Sequence, residues 1–120
     1  MSRRVLITGA TGFVGSHIAE AFAKAGYRVR CSLRASSSTR WLEGLSVESV
    51  VADLNRREDL LGLVQNVDII VHAAGLTRAK HDADYYAVNV EGTKRLAEAA
   101  SAAGVGRFVL ISSLAARGPD

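Results

Sequence analysis

Along the chain, short apolar runs rich in β-branched residues alternate with stretches whose apolar positions recur every three or four residues. Arg4–Thr8 (RVLIT) reads as a buried strand. Phe13–Ala25 reads as a helix, with Val14, Ile18, Phe22 and Ala25 on one stripe and Gly26 as its stop. Arg28–Leu33 reads as a second strand. A Ser-rich loop from Ala35 follows, running into a short helix around Thr39–Glu43. Val47–Ala52 reads as a third strand and Arg56–Gln65 as a short amphipathic helix carrying Leu60, Leu61 and Val64. Val67–His72 reads as a fourth strand. Asp82–Ala103 reads as a long helix with Ala83, Ala87, Val90, Ala97 and Ala100 on one face, ended by Gly104. Arg107–Ile111 reads as a fifth strand. Strands separated by helical segments predict an α/β fold: a doubly wound parallel sheet of about five strands with helices on both faces. Residues 1–120 read as one domain. The turn-like Arg117-Gly118-Pro119-Asp120 comes just after the fifth strand, so the expectation is one half of something larger.

Composition narrows the picture. The chain is 48% hydrophobic and 22% charged, ordinary for a globular protein. Its single cysteine, Cys31, excludes an intrachain disulfide framework. No apolar run approaches the ~20 residues of a membrane span. The run Val5-Leu6-Ile7 is too short for the apolar core of a secretory signal, so a cytoplasmic location is expected, with no membrane partner. The net charge of +3 raises a nucleic-acid reading. The basic residues are scattered, however, and the pairs Arg3-Arg4 and Arg56-Arg57 form no stripe. Twelve of the 15 basic residues are Arg and 19 residues are Ala, which points to codon bias more than to a binding surface. No nucleic-acid partner is expected.

The candidate chemistry begins at Thr8-Gly9-Ala10-Thr11-Gly12-Phe13-Val14-Gly15, where a strand feeds a helix through three glycines at spacing three and three. Gly9 permits a tight turn, Gly12 lets a pyrophosphate approach the backbone, and Gly15 lets the helix pack closely on the sheet. The helix N-terminus then offers unpaired N–H groups to the anion. The plainer reading is a turn with a packing glycine and no ligand. After the second strand, the acid that would hold an adenosine ribose is absent, and Arg34 followed by Ala35-Ser36-Ser37 stands there instead. A guanidinium among hydroxyls suits a 2′-phosphate, which favours NADP(H) over NAD(H). Arg34 also reads simply as a solvated strand-end residue.

Asp53, with Leu54 beside it, follows the third strand and could accept from an adenine amino group. It reads nearly as well as an N-cap for the segment from Arg56. His72-Ala73-Ala74-Gly75 closes the fourth strand, its small residues leaving room for a cofactor against the backbone. His72 itself is a candidate base or metal ligand, though a lone histidine at a strand end is more often structural. His17 and His81 lack partners at metal-site spacing, so no metal site is expected. Ser112 and Ser113 close the fifth strand, where a serine can hydrogen-bond a substrate oxygen or merely start a loop. No Gly-x-Ser-x-Gly surrounds them.

Thr8–Gly15, Asp53-Leu54, His72–Gly75, Tyr86–Thr93 (YAVNVEGT) and Ile111–Ser113 together resemble the extended short-chain dehydrogenase/reductase family. Within it the chain resembles the NAD(P)-dependent epimerase/dehydratase group, over essentially its whole length. The resemblance implies a Rossmann-type fold. It implies a pyrophosphate loop at Gly9, Thr11, Gly12 and Gly15, with Phe13 and Val14 at the helix start. It further implies adenine contacts from Asp53 and Leu54, a cofactor-lining segment at Ala73, Ala74 and Gly75, and a central-helix asparagine at Asn89. Ser113 matches the catalytic serine, with Ser112 just before it.

In the family, a tyrosine phenolate acts as acid/base, a lysine four residues later lowers its pKa, and hydride passes between substrate carbon and nicotinamide. Tyr27, Tyr85 and Tyr86 are followed at that spacing by Cys31, Asn89 and Val90, so none supplies the pair. The expectation is therefore the cofactor-binding half of an epimerase, dehydratase or reductase, inactive on its own. The expected substrate of the whole is a nucleotide-sugar, with a sterol or other small carbonyl or alcohol compound behind it. The rival reading is a non-catalytic NAD(P)-binding sensor or assembly subunit. The resemblance also implies a homodimer through helices that include Asp82–Ala103, a helix that intrachain contacts could equally bury.

Overall fold

The computed structural model describes residues 3–9, 13–34, 42–73 and 83–111, with the side chains of 13 and 83–90 excepted. Its elements, in chain order, are β1 (Arg4–Thr8), α1 (Phe13–Lys24), β2 (Arg28–Leu33), β3 (Glu48–Val51), α2 (Arg57–Leu63), β4 (Ile69–His72), α3 (Ala83–Ala103) and β5 (Arg107–Leu110). The order and type follow the hydrophobic pattern. The expected helix around Thr39–Glu43 lies largely outside the described residues.

The five strands form one sheet in the order β3-β2-β1-β4-β5, and every pairing is parallel. From β1 the chain builds outward through β2 and β3, then returns to place β4 on the other side of β1. The strand order therefore reverses between β1 and β4. All strands point the same way, so Thr8, Leu33, Val51, His72 and Leu110 end along one edge.

Alternation along the strands divides the core into two layers. Val5 and Ile7 of β1, Val29, Cys31 and Leu33 of β2 and Val71 of β4 pack with Ala19, Ile18 and Phe22 of α1. Leu6 of β1 and Ile70 of β4 face the opposite way, against Leu60 and Leu63 of α2 and Leu96 and Ala100 of α3.

The helix faces differ in detail from those the periodicity predicts. In α1, Val14 is 46% exposed, and Ala25 just beyond its end is exposed, while Gly15, Ser16 and Ala19 are buried. Small residues face the sheet because they let the helix axis come close, whereas the periodicity argument weights large side chains. In α2, Leu63 is buried to 1% and Leu61 is 44% exposed. In α3, Gly92, Leu96 and Ala100 form the buried ladder and Ala97 is exposed.

Helix ends explain the connections. Gly26 adopts φ +95°, a left-handed conformation that a side chain would disfavour. It donates to the Ala23 carbonyl, and Tyr27 donates to the Phe22 carbonyl, both at 3.1 Å. This is a Schellman closure, and the Phe22 and Tyr27 rings complete it edge to face at 4.9 Å. The same pair of bonds closes α3 at Gly104 and Val105. Helix α2 has no glycine there. Asn66 takes the left-handed position at φ 59°, and the Arg30 guanidinium covers the last carbonyls.

Candidate functional site

In an open parallel sheet, the crevice for a ligand lies beyond the carboxyl ends of the strands, where the strand order reverses. Here that point is flanked by Thr8-Gly9 on β1 and His72-Ala73 on β4. The two strand ends are clamped by backbone and side chain together. The Ala73 N–H donates to the Thr8 carbonyl at 3.1 Å, and Thr8 Oγ1 lies 2.5 Å from His72 Nδ1. On the far side of the ring, His72 Nε2 lies 2.8 Å from Thr93 Oγ1 on α3. Burial draws the His72 pKa down from 6.5 to about 4, so the ring is neutral and carries one N–H. Among the described residues, no buried side-chain nitrogen or oxygen lacks a partner.

Gly9 leaves β1 with φ +74°. Helix α1 begins at Phe13, and its first turn holds no acidic residue to oppose an anion. Gly15 is buried. Val14 is half exposed beside it. Ala10, Thr11, Gly12 and the Phe13 side chain lie outside the described residues, as do Ala74, Gly75, the Asn89 side chain, Ser112 and Ser113.

The remaining expected residues fall on the same edge. Arg34 is exposed immediately after β2, where Leu33 is buried at the position expected for a ribose-binding acid. Asp53 is exposed just beyond β3. Its Oδ1 accepts from the Asn55 N–H at 2.8 Å, closing a tight Asx turn. The N-cap reading of Asp53 fails, because α2 is capped at Arg56 without a side-chain bond. Asp59 reaches back instead, its Oδ2 accepting from the Asp53 N–H at 2.8 Å. Leu54 is half buried against α3 at Gly92, where an added Cβ would sit 3.9 Å from the Leu54 Cβ. Arg95 of α3 holds the same turn through the Asn55 side-chain oxygen at 2.9 Å.

The metal-ligand reading of His72 has no support in its surroundings, since both ring nitrogens face threonine hydroxyls. Among the described residues, no group of three or more His, Cys, Asp or Glu could hold a metal, and no helix is long and apolar enough to cross a membrane. Two groups escaped sequence reasoning. Thr93 carries no motif of its own beyond its place in YAVNVEGT. Arg30, a charged residue inside a strand, could have been flagged as a cation in need of partners.

The site's residues fit a dinucleotide: a left-handed glycine at the order reversal, a helix N-terminus clear of acids, and an exposed acid and cation spaced along the same edge. Comparison with known proteins gives the family. The family model described as "NAD dependent epimerase/dehydratase family" matches residues 5–120. A ceramide reductase from Caulobacter vibrioides is 43% identical over 97% of this chain and 36% of its own length. A UDP-glucose 4-epimerase from Vibrio cholerae is 33% identical over 98% of this chain and 37% of its own. The photosystem II assembly factor Ycf39 from Cyanophora paradoxa is 30% identical over 92% of this chain and 34% of its own. Among solved structures, gox2253 superposes with a TM-score of 0.85 at 36% identity, covering 95% of this chain and 35% of that one. A short-chain dehydrogenase/reductase superfamily protein from Agrobacterium tumefaciens with bound NAD superposes with a TM-score of 0.74 at 39% identity, covering 92% of this chain and 33% of that one. The chain thus spans about a third of the length of the relatives it matches.

Proposed function

The chain belongs to the NAD dependent epimerase/dehydratase family, and from that premise we propose that these residues form the dinucleotide-binding half of an enzyme that moves a hydride between NAD(P) and a carbonyl or alcohol carbon. The carrying observation is Gly9, left-handed at the end of β1 where the strand order reverses, with the acid-free start of α1 just beyond it. Gly9, Thr11, Gly12 and Gly15 would hold the pyrophosphate. Asp53, with one carboxylate oxygen engaged by its own turn, would accept from the adenine, and Leu54 would pack beside it. Ala73, Ala74 and Gly75 would line the crevice. The bound nicotinamide would supply the hydride chemistry, and Ser113 would orient the substrate oxygen.

Arg34 supports NADP(H) over NAD(H), since it directly follows Leu33, which stands where an acid would otherwise hold the ribose 2′-OH. For the substrate, the UDP-glucose 4-epimerase relative supports a nucleotide-sugar. The ceramide reductase relative supports a lipid-like carbonyl or alcohol compound. The assembly-factor relative favours the second reading, a non-catalytic NAD(P)-binding subunit.

Titration of the chain with NADH and NADPH tests the first claim. Gly12→Glu should abolish binding, because the new side chain would fill the pyrophosphate position with negative charge. Unchanged affinity in that variant overturns the loop assignment. Arg34→Ala should weaken NADPH far more than NADH, and equal losses remove the 2′-phosphate reading. Turnover of the complete protein with a UDP-hexose or with a long-chain ketone separates the two substrate classes. Tight cofactor binding with no turnover of either favours the non-catalytic subunit.

A further inference from the structure

The Thr8–His72–Thr93 chain is unusual for where it sits. Thr8 is fully buried and His72 nearly so. Apolar residues could fill the same space, and a polar trio with two buried members and the half-buried Thr93 gains little net stability over them. What it adds is direction, because hydrogen bonds of 2.5 and 2.8 Å set a spacing that apolar packing leaves softer.

Each member adjoins a segment that the dinucleotide reading needs. Thr8 immediately precedes Gly9. His72 immediately precedes Ala73, whose N–H is bonded to the Thr8 carbonyl. Thr93 follows Gly92, the point at which α3 meets Leu54. The pyrophosphate turn leaves β1, the crevice-lining segment leaves β4, and the adenine-side turn beyond β3 packs against α3 at Gly92; this one ring joins β1, β4 and α3.

We propose that His72 is a positioning residue for the cofactor crevice: its ring, bridged between Thr8 of β1 and Thr93 of α3, holds the Gly9 turn, the Ala73 segment and the Leu54 turn in one fixed arrangement. The inference rests on the dinucleotide-binding reading above. The neutral ring has one N–H and one lone pair, and each threonine hydroxyl can donate or accept. At one nitrogen the ring donates to a threonine hydroxyl and at the other it accepts from one. The Phe108 ring, with its centroid 6.2 Å from that of His72, packs beside the imidazole from β5.

The test uses the full chain and paired substitutions. Thr93→Val keeps the branched shape and removes the hydroxyl, while Thr93→Ser keeps the hydroxyl. Kd for NADH and for NADPH is measured well below the melting temperature, with circular dichroism confirming the native fold. The expected result is a loss of about tenfold for both cofactors in Thr93→Val, since sub-ångström misplacement of binding groups is costly, and near wild-type binding in Thr93→Ser. A merely structural role would lower the melting temperature of Thr93→Val and leave its Kd unchanged, and that result overturns the proposal. Thr8→Val and Thr8→Ser supply the same comparison from β1 if Thr93→Val does not fold. In the double variant the losses should not multiply, because both valines break the same bridge. Failure of the wild-type chain to bind either cofactor would overturn the dinucleotide reading and this inference with it. Wild-type binding with an indifferent Thr93→Val overturns this inference alone.

Discussion

Arg30 and Leu63 are joined across the interior. The Arg30 guanidinium, on β2, donates to the Leu63 carbonyl at the end of α2 at 2.7 Å. The same nitrogen reaches the Gln65 carbonyl at 3.1 Å, and Nε pairs with Glu48 Oε1 of β3 at 3.1 Å. A cation at a helix C-terminus meets the negative end of the dipole. Here it also stands in for the glycine closure that ends α1 and α3.

Replacing Arg30 tests that account. Arg30→Met leaves the terminal carbonyls without their charged donor and should destabilise the fold by about 2–3 kcal/mol. Arg30→Lys should recover only part, since one ammonium cannot span both Glu48 and the carbonyls. Glu48→Gln should cost under about 1 kcal/mol, because that carboxylate is half exposed. Urea denaturation measures all three, and a neutral Arg30→Met would refute the capping role.

His72 makes stability depend on pH. Its folded pKa of about 4 lies below the ordinary 6.5, so the unfolded chain takes up the proton more readily. Its contribution is fully present above pH 6.5 and is lost as pH falls toward 4, by about 3 kcal/mol if the whole difference is expressed. His72→Gln has no group titrating there, so its stability should vary less across that window. Parallel slopes for the two proteins between pH 6.5 and 4 would contradict the neutral, buried ring.

The corrected helix faces predict opposite effects for similar substitutions. Leu96→Ala, at a fully buried position, should cost about 3 kcal/mol through lost burial and a cavity. Leu61→Ala, at a largely solvated one, should stay within about 0.5 kcal/mol. Comparable losses at the two sites would restore the face that periodicity alone predicts.

Cys31 provides a reporter for unfolding. It is fully buried, and desolvation raises its pKa from 9.0 to about 11. A thiol-reactive reagent at neutral pH should leave the folded chain unmodified and label it only as fast as it opens. Stoichiometric labelling under native conditions would show that β2 is open to solvent.

Element order, strand alternation and the glycine stops at Gly26 and Gly104 were all legible in the amino-acid sequence, because they depend on local periodicity and on backbone conformations few other residues favour. So was the glycine turn out of β1, whose described member Gly9 is left-handed, with α1 after it. The inward faces of the helices were less legible. Burial at Ala19 comes from packing of α1 on the sheet and at Gly92 from the approach of α3 to Leu54, and a hydrophobicity pattern does not weight small residues for either. Neither Arg30 beneath the end of α2 nor His72 between Thr8 and Thr93 could be paired from the sequence. Their partners lie 33, 64 and 21 residues away in the chain. Parallel crossovers and the reversal of strand order between β1 and β4 bring them within hydrogen-bonding distance. Local chemistry thus determined the elements and their order, and the tertiary arrangement alone decided which buried polar groups satisfy one another.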